Sequence, residues 1–502
     1  MAGKARYAVL AAATVCSLSC GLQYCFSAWA PQLASRLDLN STQINSIGAC
    51  GNLGVYLSSP LIGRIVDRRG PKPTLVFAAV ALCSGYLVIR AFYTTGDDHE
   101  SGLFARFGVP GLILAELLTG IGSTAGLSSA GNSVAKSFSK RRAAALSVVL
   151  SAFGLSAFFY SSLSSLFLHP RADTDVTSSF LLLLALGSLL SMLVGLLFVR
   201  PIPRETRLPA TDAREAEEAP VEAEAALPEA EEQVGASGTE RTPLLRSTSS
   251  KSIQERNIAG WALLRELDFY LIFLFNGLCA GVGLCYINNL GQVVRSLALA
   301  TPIDPSLPSS FAAPSPSAIA LLQSRLVSLL SLFNFLGRLL SGFTSDYLLH
   351  HPSYRLPRVF FLPLTAALYL ASQLVATRVT STSALWAPTA LTGLAHGCLF
   401  GISGIVGLER FGMRSFSQTN GVLALAPALF GQVTNLIFGR IYDSRSHPVP
   451  SFVASSAPSL TCTLGRACYL PAFELTSAMS LCALGVGLWL ATGRGAMRVR
   501  AA

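Results

Sequence analysis

Gly63-Arg64-Ile65-Val66-Asp67-Arg68-Arg69-Gly70-Pro71-Lys72 is a charged, glycine-bounded string between two apolar runs, near 44–66 and 74–95. Each run is long enough to cross a bilayer, for which roughly 20 residues suffice. The string therefore reads as a short turn joining two membrane helices. Its pattern recurs: Gly342-Phe343-Thr344-Ser345-Asp346 repeats the Gly-x-x-x-Asp spacing behind a later run. A second pair of strings, Lys136-Ser137-Phe138 and Glu409-Arg410-Phe411, stands at a nearly equal separation. Two echoes in the same order predict two similar six-helix halves arranged about a central cavity.

Working outward, apolar runs recur near 7–30, 44–66, 74–95, 108–134, 142–166 and 178–200, then near 268–292, 318–344, 356–377, 384–408, 417–438 and 470–492. They are continuous rather than alternating, so helices are expected and not a barrel. The first run is read as a membrane helix; it is long for a leader, and Gln23 and Tyr24 interrupt it. Of the 502 residues, 51% are hydrophobic and 13% charged, about half the charge of an ordinary soluble domain. The fold class expected is an all-α membrane protein of about 12 transmembrane helices. Its parts are an N-terminal half over 1–200, a linker over 201–257 and a C-terminal half over 258–502.

The net charge of +10 is unevenly placed. Residues 211–240 hold ten acids and one base, so the rest of the chain is more basic still. That excess gathers in alternate short loops: Arg68, Arg69 and Lys72; Lys140, Arg141 and Arg142; Arg355 and Arg358; Arg410 and Arg414. The positive-inside bias then places both termini in the cytosol. The basic balance reflects topology and a lipid bilayer as partner, not nucleic acid. The linker has too little apolar surface to fold and is expected to be a disordered cytosolic tether.

Three local signals accompany this topology. Glu240, Leu244 and Leu245 form an acidic dileucine string of the kind a sorting adaptor reads to route proteins to vacuoles or lysosomes. Asn40-Ser41-Thr42 is a glycosylation sequon on the opposite face. It lies so close to two spans that no modification is expected. Cys462 and Cys468, in the polar loop before the last span, are a candidate disulfide if that loop faces an oxidising compartment. The other nine cysteines read as small apolar residues.

The string at 63–72 matches the signature loop of the major facilitator superfamily, G-x-x-x-D-[RK]-x-G-[RK]-[RK], with Pro71 at one basic position. Within that superfamily the chain resembles the nodulin-like and fungal monocarboxylate-transporter-homologue (Mch-type) group. The resemblance rests on YCFSAWAPQL at 24–33, STQINSIGACGNLGVYLSSPLIG at 41–63, LLTGIGSTAG at 117–126, GWALLRELDFYLIF at 260–273, GVGLCYINNLG at 281–291 and NFLGRLLSGFTSDYL at 334–348. It implies a vacuolar transporter; the plasma membrane is the alternative. It also implies that Gly63, Asp67, Arg68 and Gly70, with Asp346 in the repeat, form a gate locking the halves on the cytosolic side.

Ionisable groups at bilayer depth are costly and mark function by default. Arg338 and Asn334 lie four apart on one helix face. Human-type monocarboxylate carriers have Asp-x-x-x-Arg here, the arginine holding the substrate carboxylate. Asn334 replaces that aspartate, so anion binding by Arg338 is implied but lactate–proton symport is not. The competing expectation makes Arg338 a gating residue paired with backbone or Asp346. Glu116 stands where many proton-coupled members have arginine. It is either the proton-coupling site, since a buried carboxylic acid can exchange protons near neutrality, or a structural partner of Arg90 or Arg106. Tyr24, Asn52, Asn289, His396 and Asn435 complete the expected cavity, with Asn288 beside them.

No hydrolase elbow, P-loop, dinucleotide fingerprint or metal-ligand cluster sits in a usable context. The Gly-x-Gly pairs at 120–122 and 281–283 lie in apolar helices and are expected to allow close packing. No enzyme, cofactor or metal is expected. The reading is a secondary carrier of a small organic solute, such as a monocarboxylate, with a nutrient receptor or scaffold without net transport as the rival.

Overall fold

The computed structural model describes residues 2–39, 41–96, 103–138, 141–167, 177–202, 258, 260–300, 316–353, 355–449 and 459–492. The linker with Glu240, Leu244 and Leu245, and the sequon residue Asn40, lie outside them.

Among the described residues, twelve helical passes follow one another. The first is broken: α1 (Ala2–Cys20) gives way to a 3-10 turn at Leu22–Cys25 before α2 (Phe26–Arg36). Gly21 marks the break, and a Cβ there would lie 2.1 Å from the Phe153 carbonyl oxygen. Then come α3 (Ser41–Arg69), α4 (Pro71–Thr95), α5 (Leu103–Ser137), α6 (Arg142–Phe167) and α7 (Thr177–Phe198). Beyond the undescribed linker a 3-10 turn at Gly260–Arg265 leads into α8 (Leu267–Leu299), α9 (Pro316–His350), α10 (Phe361–Ala376) and α11 (Trp386–Phe411). The eleventh pass is split into α12 (Phe416–Leu423) and α13 (Leu425–Asp443), and α14 (Leu470–Thr492) is the last. A short antiparallel pair, β1 (His447–Val449) and β2 (Ser459–Thr461), closes the loop before α14 with His447 opposite Thr461. Cys462 and Cys468 are joined in a disulfide in that loop.

Among the described residues, eleven segments are long and apolar enough to cross a membrane. The pass missing from that set is α3, whose Asn52, Ser58 and Ser59 dilute its apolar character. Ser58 and Ser59 return their hydroxyls to the carbonyls of Gly54 and Val55, at 2.6 and 2.8 Å. That internal satisfaction is what lets a polar helix stand inside a bundle.

Small residues set the spacing within each half. A Cβ on Gly120 of α5 would meet the Gly51 oxygen of α3 at 2.1 Å. The matching crossing in the second half joins α9 and α11, where a Cβ on Gly397 would meet the Asn334 oxygen at 2.2 Å. Without a hydrophobic driving force between helices in lipid, such close approach and its dispersion energy hold a bundle together. The turn at Gly70 has φ +82°, a conformation glycine adopts without strain, and Pro71 opens α4 behind it.

Candidate functional site

Arg338 lies on α9 and is 2% exposed. Its Nε donates to Asn334 Oδ1 at 3.1 Å, one turn back. Its Nη1 donates to the Leu150 carbonyl of α6, in the other half, at 2.9 Å. Phe153 of α6 and Phe400 of α11 flank the guanidinium, ring centroids 5.6 and 5.4 Å away. Such contacts spread the charge over aromatic faces but do not neutralise it. No carboxylate pairs with Arg338 among the described residues. The expected pairing with Asp346 is not formed; of that alternative only the backbone contact is present.

Tyr24 stands edge-on to Phe153 with centroids 5.6 Å apart, placing a hydroxyl-bearing ring of the first pass beside the arginine. His396 joins from α11: its Nδ1 is 2.8 Å from the Tyr369 hydroxyl, and its ring lies 4.9 Å from Phe400. Arg338, Asn334, Tyr24 and His396 thus share one aromatic-walled centre. Asn289 and Asn435 form a pair of their own, Nδ2 donating to Oδ1 at 2.9 Å and also to the Cys285 carbonyl. Asn288 is exposed, and Asn52 is half-buried on α3.

Glu116 is fully buried in α5. Arg90 donates instead to Ser178 at the head of α7, and Arg106 sits over Phe107, so neither expected ion pair exists. The neighbour of Glu116 is Gln23, in the 3-10 break of the first pass. With the Gln23 amide oriented so that both its ends find complementary groups, Nε2 donates to Glu116 Oε1 at 2.7 Å and the oxygen accepts from Gly120 N at 3.1 Å. Glu116 Oε2 has no hydrogen-bond partner among the described residues.

The two repeated loops perform one job in two ways. Asp67 accepts hydrogen bonds from the backbone N–H groups of Ser417 and Gln418, at 3.2 and 2.8 Å, in the first turn of α12. Asn132 of α5 donates to the same carboxylate at 2.7 Å. Asp346 accepts from the N–H of Ala144 in the first turn of α6, at 2.8 Å. Each aspartate therefore caps a helix of the opposite half, where orphan N–H groups and the positive end of the dipole favour a carboxylate. Gly63 and Gly342 make the approach possible: a Cβ would meet the Ser417 oxygen at 2.2 Å and Ser147 Oγ at 2.1 Å. Arg68 is exposed and forms no part of the lock.

A family model described as Major Facilitator Superfamily matches residues 12–426. The chain belongs to the major facilitator superfamily. Among its relatives, the probable transporter MCH1 of Gibberella zeae is 25% identical, covering 96% of this chain and 89% of that protein. The probable transporter MCH1 of Saccharomyces cerevisiae is 23% identical over 86% of this chain and 83% of its own length. The protein NUCLEAR FUSION DEFECTIVE 4 of Arabidopsis thaliana is 28% identical over 45% of the chain. Among solved structures, the proton:xylose symporter XylE aligns over 98% of this chain and 96% of its own, with TM-score 0.59 and 11% identity. The likeness to XylE shows the major facilitator fold. The chain is a multi-pass membrane protein of that superfamily, and MCH1 proteins are among its relatives.

Within this superfamily fold, parts of the centre and of the second loop carry no clear sequence signal. Phe153, Phe400 and Tyr369 carried no signal, because an aromatic in an apolar run looks the same whether it faces lipid or an arginine. Gln23 was noted only as an interruption of the first run. Arg358 was read as a topological charge, yet it is buried and ion-paired to both Asp346 and Glu409.

Proposed function

We propose that this transporter is a secondary active carrier of a small organic anion, a monocarboxylate being the simplest. The observation that carries the reading is Arg338. It is a buried guanidinium with no carboxylate partner among the described residues, held by Asn334, Leu150 and two aromatic rings. A charge so placed is stabilised when an anion arrives, and its planar fork suits a carboxylate. It also touches both halves, so binding there would respond to the rocking of residues 1–200 against 258–502.

A proton is the coupling ion we favour, with Glu116 as its site. Protonation turns a carboxylate from acceptor into donor, which would reorganise its bond to Gln23. Gln23 precedes Tyr24, and Tyr24 packs on Phe153 beside Arg338. That chain of contacts supplies a physical route between the two groups.

We place the protein in the vacuolar membrane with both termini cytosolic. The disulfide of Cys462 and Cys468 supports this sidedness, since it lies at the end of the bundle away from the basic loops, where an oxidising lumen suits it.

The test is uptake of labelled monocarboxylates into proteoliposomes, with and without a pH gradient. Arg338→Ala should abolish saturable uptake, and Arg338→Lys should retain charge but bind weakly. Wild-type protein that is folded but takes up no monocarboxylate sinks the substrate class.

A further inference from the structure

A cavity of about 540 Å³ opens at the end of the bundle that carries the basic loops. Its polar wall is Arg64 and Arg68 of α3, with Gln418 of α12; its apolar wall includes Trp261 and Leu264 of the Gly260–Arg265 turn, and Val422. We propose that this cavity binds an anionic phospholipid, its phosphate on Arg64 and Arg68 and its acyl region along the Trp261 wall.

Three observations converge on that ligand. First, Arg64 and Arg68 are one helical turn apart, so both guanidinium groups project to the same side. Both are exposed, and neither has an ion-pair or hydrogen-bond partner among the described residues. Two free guanidinium forks match a phosphate, which they bind bidentately. Second, Trp261 is 85% exposed, with Leu264 and Leu267 exposed beside it at the mouth of α8. An uncovered tryptophan with leucines at the end of a membrane helix sits at headgroup depth, where its ring is half apolar and half wet. Third, the two walls differ in chemistry. A free anion would use only the arginines and leave the apolar wall wet, whereas an amphiphile uses both.

The location gives the ligand a consequence. Arg64 and Arg68 flank Asp67, and Gln418 supplies one of the N–H groups that Asp67 accepts. A lipid bridging α3, α12 and the 3-10 turn therefore spans the joint that the first lock closes. Arg68, which takes no part in that lock, acquires a role here.

The test uses the full chain reconstituted in nanodiscs of phosphatidylcholine containing phosphatidylinositol. Co-released lipid is identified by native mass spectrometry. Wild type should retain phosphatidylinositol in preference to phosphatidylcholine. Arg64→Ala with Arg68→Ala should reduce that retention about thirtyfold, the loss of two arginine–headgroup attractions. Arg64→Lys with Arg68→Lys should restore part of it, and Trp261→Ala should give a smaller loss. Arg69→Ala with Lys72→Ala, which removes the same charge next to the cavity, should leave retention unchanged. Equal loss from both alanine pairs would mean a diffuse basic surface and overturn the site. Displacement of the lipid by inorganic phosphate at millimolar concentration would overturn the lipid as ligand.

Discussion

The two Gly-x-x-x-Asp loops share a spacing and a cap on a helix of the opposite half but differ in what surrounds them. Asp67 is held by backbone N–H groups and one asparagine; no cation touches it within hydrogen-bond distance among the described residues. Asp346 caps its helix with one oxygen and binds Arg358 with the other, and Arg358 continues to Glu409. The first lock is thus a carboxylate on a helix dipole. The second is the same cap anchored within its own half by a charge triad. A cap to backbone can form and release at modest cost, about 1 kcal/mol. A buried ion pair resists the loss of either member by several times as much. The second loop is therefore the more rigid within its own half, while across the halves it makes one N–H bond and the first makes two.

The strongest way to break that comparison is Arg358→Ala. It leaves Asp346 buried without its cation, which costs about 3–5 kcal/mol. Thermal unfolding in detergent should show a fall larger than for any change around Asp67; an unchanged midpoint would dissolve the distinction between the loops. Next come the glycines. Gly63→Ala pushes a methyl group into the Ser417 backbone, and Gly342→Ala into the Ser147 side chain, with overpacking worth about 1–3 kcal/mol. Backbone yields less than a side chain, so Gly63→Ala should widen the distance between spin labels at positions 69 and 414 more than Gly342→Ala does. The reverse order would show that the second crossing is the tighter one.

A subtler comparison is Asp67→Asn. The amide keeps an acceptor for α12 but loses the charge–dipole attraction, worth about 0.3–1 kcal/mol. The same label pair should then report a two- to fivefold rise in the separated population, with little change in unfolding. Arg68→Gln should be the smallest effect, within about 0.5 kcal/mol on stability, as for an exposed residue outside any network. A large destabilisation there would bring Arg68 back into the lock.

The fold and the two repeated loops were legible because their signals are local and repeated. Runs of about 20 apolar residues announce helices, and the Gly-x-x-x-Asp spacing recurs in step with them. Arg338 and Asn334 could be paired from their four-residue spacing alone. The walls of their site could not, since Phe153 and Phe400 come from different helices and carry no mark of which way they face. Glu116 shows the same limit. Its position in an apolar run flagged it, but its partner Gln23 lies in a break of another pass, and Arg90 and Arg106 make their contacts elsewhere. Arg358 was visible as a charge, yet topology bias explained it well enough to hide its burial.

The receiving end of the first lock has a consequence for how this protein tolerates change. Asp67 reads the N–H groups of residues 417 and 418; the Ser417 hydroxyl joins it through Asn132, but no hydrogen bond ties the Gln418 side chain to it, so the identity of residue 418 is largely free so far as the lock is concerned. Proline is the exception, since it has no N–H to offer. Substitution at position 418 should be permissive to nearly every amino acid and closed to one, a pattern of variation that leaves part of the latch invisible to anyone looking for invariant residues.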